Sequence, residues 1–258
     1  MFIKKPPNKD VFDDSGYTIL DTTLSDYPEF NKIVQEIYTE LDVELKKSKL
    51  KEYGGYIMGN FGINQGQYGP KLYSIIFQQD FIDVFETLTN NKLDFYSIKY
   101  GGNLTLPKKG AQHFHLDGEF KKEMYLVSIA TENIDLSNAP TEICVGSHLK
   151  PLKFWEFFIN KKIKKKLLLK KGQILIRKHN LWHRGTKNLS NKARLLLSFV
   201  ITPKAKNNQV DLMSTNLKIL PNFFKSDIKG RLQEIMYVHF RTLHTILKLI
   251  YSFFKKNY

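Results

Sequence analysis

Three side chains in this sequence have the identities and the spacing of metal ligands. Only one residue separates His115 from Asp117, and His183 follows 68 residues after His115. Alternate residues of an extended strand point to the same face, so His115 and Asp117 can act as neighbouring ligands. A neutral imidazole from a distant strand then completes a set of two histidines and one carboxylate. Such a set suits non-haem iron(II), because it leaves three coordination positions open, and it predicts an iron-dependent oxygenase.

The composition is that of a globular protein with an excess of lysine. With 258 residues, of which 42% are hydrophobic and 25% charged, the chain is long enough for one large domain with a substantial core. Its net charge of +15 comes from 35 lysines and only 5 arginines. Because proteins that read nucleic acids depend on the bidentate geometry of arginine, we do not expect a nucleic-acid partner. A positive field of this size does favour an anionic substrate.

Cysteine content and hydropathy predict a cytoplasmic protein. Cys144 is the single cysteine, which excludes an internal disulfide and fits a reducing compartment. The first residues hold no apolar run long enough for a secretory signal. No stretch reaches the ~18 to 20 apolar residues that a bilayer-spanning helix needs.

The apolar pattern predicts a mainly β fold with flanking helices (α+β). Residues 28–49 and 80–89 carry apolar side chains at helical spacing, whereas residues 51–79, rich in Gly, Tyr and Gln, predict irregular structure. Short runs of β-branched, aromatic and apolar residues predict strands at 95–100, 124–131, 141–145, 167–169, 173–176 and 194–201. Because strands and helices do not alternate regularly, we expect a jelly roll or double-sheet β-barrel with N-terminal helices packed outside.

The last part of the chain has a different pattern. Between residues 227 and 258, apolar side chains recur every three or four positions, with basic side chains elsewhere around the predicted helix. We expect residues 1–225 to form a single main domain. Residues 226–258 are expected to form a basic amphipathic helix that packs on this domain or on a partner subunit of a homo-oligomer. The alternative is a helix that lies on an anionic membrane surface as a peripheral contact.

Two segments around the ligand residues resemble the phytanoyl-CoA dioxygenase family. Residues 181–190 read Leu-Trp-His-Arg-Gly-Thr-Lys-Asn-Leu-Ser and are followed by Arg194. They resemble the C-terminal motif of that family, in which a histidine is followed by an asparagine and then by an arginine. Residues 138–148 end in Gly-Ser-His and look like the central segment of the family, which usually ends in Pro-Gly-Ser-His.

The resemblance covers residues 95 to 201 and has two departures. Residues 171–174, Lys-Gly-Gln-Ile, stand where family members commonly have Gly-Asp entering a strand. Val145 replaces the usual proline before Gly-Ser-His, and Gln173 replaces the usual aspartate. Both departures concern local loop geometry and leave the ligand set intact.

The resemblance implies a double-stranded β-helix, a cupin-like fold, that holds Fe(II) through His115, Asp117 and His183. The cosubstrate 2-oxoglutarate would chelate the metal, and its far carboxylate would pair with Arg194, since a buried carboxylate needs a permanently charged, planar partner. The 11 residues from His183 to Arg194 allow the chain to leave one strand, turn and return along its neighbour, so that both can face one cavity. The implied reaction uses O2 to convert 2-oxoglutarate to succinate and CO2 while a substrate C–H is hydroxylated. Relatives that halogenate lack the carboxylate ligand, so Asp117 favours hydroxylation.

Several other polar residues are weaker candidates. Asn103 and Thr105 lie just before the His-x-Asp segment and could contact the metal-proximal end of 2-oxoglutarate. In the family the Gly-Ser-His turn lies beside the active site, so His148 is a candidate for substrate contact, although such a turn is a structural feature by default. Gln112 and His113 belong either to the mouth of the pocket or to a surface loop.

Two other classes of function are compatible with the sequence. Residues 113–117 partly match the His-x-His-x-Asp-His zinc motif of the metallo-β-lactamase fold, although Gly118 stands in place of its last histidine. Further ligands of that two-zinc hydrolase would be His183, Asp211 and His239. The third reading is a barrel of the same fold that binds a ligand without turning it over.

The substrate is expected to be a small or conjugated organic molecule. The family includes enzymes that act on acyl-CoA esters, small osmolytes, sugars and other natural products. The basic character of this chain favours an anionic member of such a set, for example a CoA thioester, a phosphorylated sugar or a lipid-linked glycan.

Overall fold

The computed structural model describes residues 2–47, 49–160, 163–204 and 216–254. Within these ranges the chain forms seven α-helices and ten β-strands. The helices are α1 (Lys9–Ser15), α2 (Pro28–Lys46), α3 (Tyr68–Ile76), α4 (Gln79–Thr89), α5 (Phe154–Ile159), α6 (Ile228–His239) and α7 (Arg241–Phe254). The strands are β1 (Tyr17–Leu20), β2 (Asn60–Asn64), β3 (Tyr96–Thr105), β4 (Tyr125–Ala130), β5 (Thr141–Cys144), β6 (Lys164–Leu167), β7 (Ile174–Lys178), β8 (His183–Gly185), β9 (Arg194–Pro203) and β10 (Lys218–Leu220). Asp211 lies outside the described residues.

The strands form two antiparallel sheets. The larger sheet has the strand order β1-β7-β4-β9-β3-β2-β10, and the smaller sheet has the order β6-β5-β8. The expectation of a mainly β fold with flanking helices is confirmed. The described strands do not close into one barrel, because β1 and β10 remain at the edges of the larger sheet.

The two faces of the larger sheet have different roles, and β9 shows this most clearly. This strand pairs with β3 on one side and with β4 on the other, and seven of its ten residues are buried. Because side chains alternate along a strand, every second residue points to the hydrophobic core. These core residues of β9 are Leu195, Leu197, Phe199 and Ile201. The residues between them, Arg194, Leu196, Ser198 and Val200, line a cavity on the opposite face.

Helices α2, α3 and α4 cover the core face of the larger sheet. Fully buried side chains from each helix, among them Phe30, Leu72 and Phe85, contribute to the same core. The predicted helices at 28–49 and 80–89 are confirmed. Helix α3 lies within the segment 51–79, for which irregular structure was predicted. That prediction was wrong because Gly69 weakens helix propensity, yet the packing requires a glycine there: a Cβ at this position would lie 2.5 Å from the Tyr100 ring.

The predicted strands are found with shifted ends in most cases. The strand predicted at 167–169 is instead β6, which begins at Lys164 and shares only Leu167 with the prediction. Strands β1, β2, β8 and β10 were not predicted. They are three to five residues long, and strands this short contain too few alternating positions to produce a clear pattern.

The tail forms two helices and not the single one that was predicted. Phe240 has φ −111° and ψ 46°, which breaks the helical path between α6 and α7. Both helices pack on the rest of the protein: a carboxylate oxygen of Glu234 accepts the Met58 N–H at 2.9 Å, and the Ser252 hydroxyl accepts the Trp155 N–H at 3.1 Å. None of the described helices combines the length and the apolar character needed to cross a bilayer.

Candidate metal centre

A cavity of about 360 Å³ lies between the two sheets. Strands β3, β4, β7 and β9 of the larger sheet form one wall, and β5 and β8 of the smaller sheet form the other. The polar residues that line it are Asn103, Gln112, His115, Asp117, Ser128, Thr141, Arg177, His183, Arg194, Ser198 and Asn222. All three predicted metal ligands and the predicted carboxylate-binding arginine therefore face one space.

Backbone pairing holds the two histidines side by side. The N–H of His115 donates to the His183 carbonyl at 2.9 Å, and the N–H of His183 donates back to the His115 carbonyl at 3.1 Å. This pairing is an isolated bridge between β8 and an otherwise irregular segment. The strand expected at His115 is therefore limited to the bridge itself. The two imidazole rings lie with their centroids 4.4 Å apart.

The ligand atoms of the three residues converge. Nε2 of His115 lies 3.8 Å from Oδ1 of Asp117, and Nε2 of His183 lies 3.4 Å from the same oxygen. One ligand atom from each residue can be chosen so that all lie within 4.8 Å of one another. Among the described residues, this is the one group of three or more histidine, cysteine or acidic side chains arranged closely enough for a metal ion.

Hydrogen bonds set the imidazole tautomers. Nδ1 of His115 lies 2.9 Å from the His113 carbonyl, and Nδ1 of His183 lies 2.9 Å from the Leu181 carbonyl. A carbonyl oxygen can only accept, so each Nδ1 carries a proton and Nε2 is the ring nitrogen available to a metal. Both rings turn this Nε2 toward Asp117, the orientation that metal ligation requires.

Burial and neighbouring charges keep these groups in their metal-binding protonation states. Burial, reinforced by the nearby His183, lowers the pKa of His115 to about 3. For Asp117, burial acts to raise the pKa, but Arg177 and the two imidazoles outweigh it and hold the pKa well below the usual value. At neutral pH the site therefore offers a neutral His115 and an ionised Asp117.

Arg177, on β7, is a cavity residue that the sequence did not single out. Its Nη2 lies 2.6 Å from Oδ2 of Asp117 and 3.2 Å from Nε2 of His183. Asp117 thus directs one oxygen to the guanidinium and the other to the histidines. The composition could have drawn attention to this residue, because Arg177 is one of only 5 arginines in a chain with 35 lysines.

Arg194 is buried in the cavity wall without a carboxylate partner among the described residues. It is 2% exposed; its Nη2 donates to the Ala139 carbonyl at 2.8 Å, and its Nη1 lies 3.4 Å from Oδ1 of Asn103. Its Nε has no hydrogen-bond partner in the described structure. Burial lowers the pKa of Arg194 to about 10, so the group stays charged at neutral pH. A buried cation with an unused donor fits an anionic ligand.

The strand geometry around Arg194 differs from the expectation. His183 and Arg194 were expected on neighbouring strands, but β8 belongs to the smaller sheet and β9 to the larger. The intervening turn carries the chain from one sheet to the other. The two residues consequently contribute to opposite walls of one cavity.

Asn103 and Thr105 take different places from those expected. Asn103 lines the cavity, but it contacts Arg194 and so lies next to that guanidinium. Thr105 is completely buried and is not among the residues that line the cavity. Its hydroxyl donates to Oδ1 of Asn103 at 3.2 Å and accepts from Asn60. Thr105 therefore positions Asn103, and a direct contact with a ligand is not supported.

His148 is not a cavity residue. Its Nε2 lies 2.8 Å from the Asp13 carbonyl, and its ring covers Gly16, where a Cβ would lie 2.5 Å from Nδ1. Gly16 has φ +83° and ends α1, so His148 holds that turn against the sheet. The Gly-Ser-His turn packs on the N-terminal helix and β1, so the geometry does not support the expected substrate contact.

Gln112 and His113, adjacent in the sequence, separate in space. Gln112 lines the cavity, and its Oε1 accepts the Gly185 N–H at 2.6 Å. His113 faces the tail: its ring lies 4.1 Å from that of Tyr237 and 4.7 Å from that of His244, centroid to centroid. Burial lowers the pKa of His113 to about 4.

The residues after β10 also reach the cavity, which the sequence did not indicate. The Phe223 ring lies edge-on, 5.0 Å from the His115 ring, and Asn222 donates to Oδ1 of Asn60 at 3.0 Å. Phe223 has φ +67°, an unusual backbone conformation for a large side chain. No local pattern in residues 216–226 distinguishes these two from other loop residues.

A larger cavity, of about 750 Å³, lies beside α2 and β3. Tyr38, Asp42 and Glu132 are among the residues that line it. It contains neither the ligand group nor a buried arginine, so its size does not make it the better candidate for chemistry.

The geometry does not support the two-zinc hydrolase. His113 points away from the cavity toward the tail, and Gly118 supplies no ligand. His239 is exposed on α6. Together with the position of Asp211 outside the described residues, this leaves no second set of metal ligands in the described part of the chain.

Comparison with known proteins shows the fold. No protein family matches the chain by sequence, and no curated protein does so. Among solved structures, AviO1 from Streptomyces viridochromogenes Tue57 is similar with a TM-score of 0.61 and 14% identity, over 78% of this chain and 95% of AviO1. The chain shares its fold.

Two further structures are similar at the same level. The epimerase SnoN in complex with Fe3+, α-ketoglutarate and nogalamycin RO has a TM-score of 0.58 and 15% identity, over 76% of this chain and 82% of SnoN. EctD from S. alaskensis with bound Fe has a TM-score of 0.57 and 14% identity, over 78% of each chain. At these identities the comparison establishes shared architecture, and the narrower phytanoyl-CoA dioxygenase resemblance stays a prediction.

Proposed function

We propose that this protein is an Fe(II)- and 2-oxoglutarate-dependent dioxygenase. The observation that carries the proposal is the presence, in one cavity, of the group His115, Asp117 and His183 and of the buried Arg194, which forms no salt bridge with the described carboxylates. Two histidines and one carboxylate are typical ligands of iron(II) in oxygenases. The similar structures of SnoN with Fe3+ and α-ketoglutarate and of EctD with Fe support the same assignment.

Each residue has a defined part in this proposal. His115, Asp117 and His183 would hold the metal through Nε2, Oδ1 and Nε2, the atoms that converge in the cavity; Nε2 of His183, which lies 3.2 Å from Nη2 of Arg177, would exchange that contact for the metal. Arg177 would keep Asp117 oriented by retaining its other oxygen. Arg194 would bind the far carboxylate of 2-oxoglutarate through its guanidinium, which includes the unpartnered Nε.

His115, Asp117 and His183 would hold Fe(II), which would supply the activation of O2 for the conversion of 2-oxoglutarate to succinate and CO2 and for oxidation of the substrate. The protein's own contribution is positioning and exclusion of water. Leu126, Leu175 and Leu196 line the cavity from the larger sheet and limit the water that can reach the metal side. We propose hydroxylation of a C–H bond as the outcome.

Substrate would approach from the side of Asp117. The Asp117 side chain is 24% exposed, while that of His183 is 6% exposed. A second cavity, of about 580 Å³, begins at Asp117 and Met124, both of which also line the first. We propose a small or conjugated organic substrate that enters there.

The finer expectations from the sequence belong to the same proposal. We propose that the two facing sheets around the candidate metal centre form a double-stranded β-helix. The sequence motifs at residues 138–148 and 181–194 support the proposal that the chain belongs to the phytanoyl-CoA dioxygenase family. Residues 1–225 would form the oxygenase domain, and a cytoplasmic location would suit a ferrous enzyme whose one cysteine, Cys144, is buried.

The decisive experiment combines metal binding with a product assay. We expect the anaerobic protein to bind one Fe(II) by calorimetry and to release succinate when 2-oxoglutarate and O2 are supplied. His115→Ala should abolish both signals, while His148→Ala, a substitution outside the cavity, should retain iron binding.

The other classes of function give different outcomes. Binding of two zinc ions with ester or amide hydrolysis would identify a two-zinc hydrolase. Iron-independent ligand binding that survives in His115→Ala, without succinate release, would identify a barrel that binds without catalysis.

A further inference from the structure

Helix α7 turns its polar side chains toward the protein. Arg241 donates to the carbonyls of Ala111 at 3.0 Å and Gln112 at 3.1 Å. The ammonium group of Lys248 lies 4.3 Å from the centroid of the Phe154 ring. Ser252, one turn further on, is 8% exposed and accepts the Trp155 N–H. Helices of globular proteins normally bury their apolar side and expose their polar side, so this orientation is reversed.

The apolar side chains of α7 face outward. We call this surface the α7 outer face; its residues, with their exposed fractions, are Leu243 (45%), Ile246 (47%), Leu247 (51%), Ile250 (52%), Phe253 (60%) and Phe254 (75%). Single exposed apolar residues are ordinary on protein surfaces. A contiguous set on one helix indicates an interaction site.

Helix α5 continues the α7 outer face. The two helices touch, with the rings of Trp155 and Phe253 at 5.5 Å between centroids. Phe158 and Ile159 at the end of α5 are 57% and 66% exposed. The apolar surface therefore spans two elements that are distant in sequence, and it is larger than one helix face.

Exposed positive charge lies beside α5. The Phe114 ring packs on Phe157 of α5 with 5.2 Å between centroids, and the ammonium group of Lys164 lies 5.4 Å from the Phe114 ring. Lys164 and the two lysines after it are exposed. Helix α7 itself has no acidic residue, since Glu234 is the last one in the sequence.

We propose that the α7 outer face docks on an anionic lipid bilayer, with the helix lying along the membrane surface. Apolar side chains would enter the boundary between headgroups and acyl chains, and the surrounding lysines would contact anionic headgroups. A second copy of this chain fits less well, because two faces with the same positive surroundings would repel each other.

This docking would bring the bilayer close to the candidate metal centre. A cavity of about 360 Å³ lies between α5, α7 and the segment after His115. Leu116 and Gly118, the residues on either side of Asp117, line it together with Lys248 and Tyr251 of α7. The proposal itself is independent of the catalytic assignment, since it rests on exposure and charge alone.

Co-sedimentation of the full chain with lipid vesicles tests the proposal. We expect binding to phosphatidylcholine vesicles that contain phosphatidylglycerol, weaker binding to pure phosphatidylcholine, and release as salt is raised. Leu247→Glu/Ile250→Glu should reduce binding about tenfold or more, because it places two negative charges on the inserting face. The matched control is Val11→Glu/Val43→Glu, which also replaces two exposed apolar side chains with glutamate, but on α1 and α2. It should bind vesicles as the native protein does.

A charge variant separates electrostatic from apolar attraction. Lys164→Glu/Lys165→Glu should weaken binding to anionic vesicles several-fold and leave binding to neutral vesicles unchanged. Thermal unfolding and Fe(II) binding of every variant show whether it is folded.

Three outcomes would overturn the proposal. The first is no binding of the native protein to anionic vesicles, and the second is equal binding of the native protein and Leu247→Glu/Ile250→Glu. The third is a native dimer in sedimentation velocity that Leu247→Glu/Ile250→Glu converts to a monomer, since the face would then be a subunit interface.

Discussion

Nη2 of Arg177 lies 2.6 Å from Oδ2 of Asp117, so one oxygen of the carboxylate is committed to an arginine while Oδ1 faces both histidines. Arg177 comes from β7 of the larger sheet, whereas Asp117 lies in the loop that pairs with β8 of the smaller one. This ion pair therefore connects the two walls of the cavity. It also limits Asp117 to one free oxygen for a metal.

Arg177→Gln should weaken Fe(II) binding by about 10- to 100-fold, the range typical for loss of a residue that orients a metal ligand. The carboxylate would lose the partner that holds its rotamer and its low pKa. Calorimetric titration with Fe(II) under anaerobic conditions measures the effect. Arg231→Gln, at an exposed position on α6, is the control and should bind as the native protein does. Unchanged or tighter binding by Arg177→Gln would show that the guanidinium has no orienting role.

Arg194→Lys should lower the affinity for 2-oxoglutarate by about 100-fold while leaving Fe(II) affinity unchanged. Lysine keeps the charge but cannot form the two parallel hydrogen bonds of a guanidinium with a carboxylate. Calorimetry with 2-oxoglutarate on the iron-loaded protein measures the 2-oxoglutarate affinity, and anaerobic titration with Fe(II) measures the Fe(II) affinity. Arg184→Lys, at an arginine paired with Glu142, should change neither. Loss of Fe(II) affinity in Arg194→Lys would instead indicate a disturbed cavity.

Glu234→Ala should reduce the free energy of unfolding by about 1 to 3 kcal/mol, the cost of leaving a buried N–H without an acceptor. Glu234 is 1% exposed and accepts the N–H of Met58, which is 2% exposed. Urea denaturation measures this change. Glu234→Gln retains an acceptor oxygen, so its free energy of unfolding should fall less. Gln233→Ala changes the exposed neighbour, and its free energy of unfolding should hardly change. Equal losses for Glu234→Ala and Gln233→Ala would mean that the α6 contact adds no stability.

The free energy of unfolding should fall as pH is lowered from about 6.5 to about 4, in part because of His113. Burial lowers the pKa of His113 to about 4, against 6.5 for an unperturbed histidine. In this window the unfolded chain binds a proton that the folded chain does not, so acid favours unfolding, by at most about 1.4 kcal/mol per pH unit for one residue. Urea denaturation at several pH values measures the slope.

His113→Asn removes this titration while keeping a polar side chain. The free energy of unfolding of this variant should depend less steeply on pH than that of the native protein. Some dependence should remain, because His115 also has a lowered pKa. Identical slopes would mean that His113 has an ordinary pKa in the folded protein.

Much of the fold was predictable because the pattern of burial is local. Helices α2 and α4 follow from apolar residues at helical spacing, and β4 and β9 from runs of apolar and β-branched residues. The candidate ligands followed from residue type and spacing, since few combinations of histidine and carboxylate suit a metal. The structure brings these residues together as that pattern predicted.

Only the tertiary structure decided which neighbours each element has. The three-residue strand β8 exists because β5 and His115 supply hydrogen-bond partners from distant positions. Arg177 could not be assigned to Asp117 from the sequence, since the two are 60 positions apart and the chain between them contributes strands to both sheets. For the same reason the position of His148 could not be predicted: its turn packs on α1, and no local pattern records that contact.

The tail shows the limit most clearly. Its periodicity determined that an amphipathic helix would form, and the sequence by itself was sufficient for that. Which side faces the protein depends on the surface beneath it, and here the carbonyls of Ala111 and Gln112 and the Phe154 ring attract the cationic side. A helical pattern specifies two faces, but the partner of each face is a property of the folded chain.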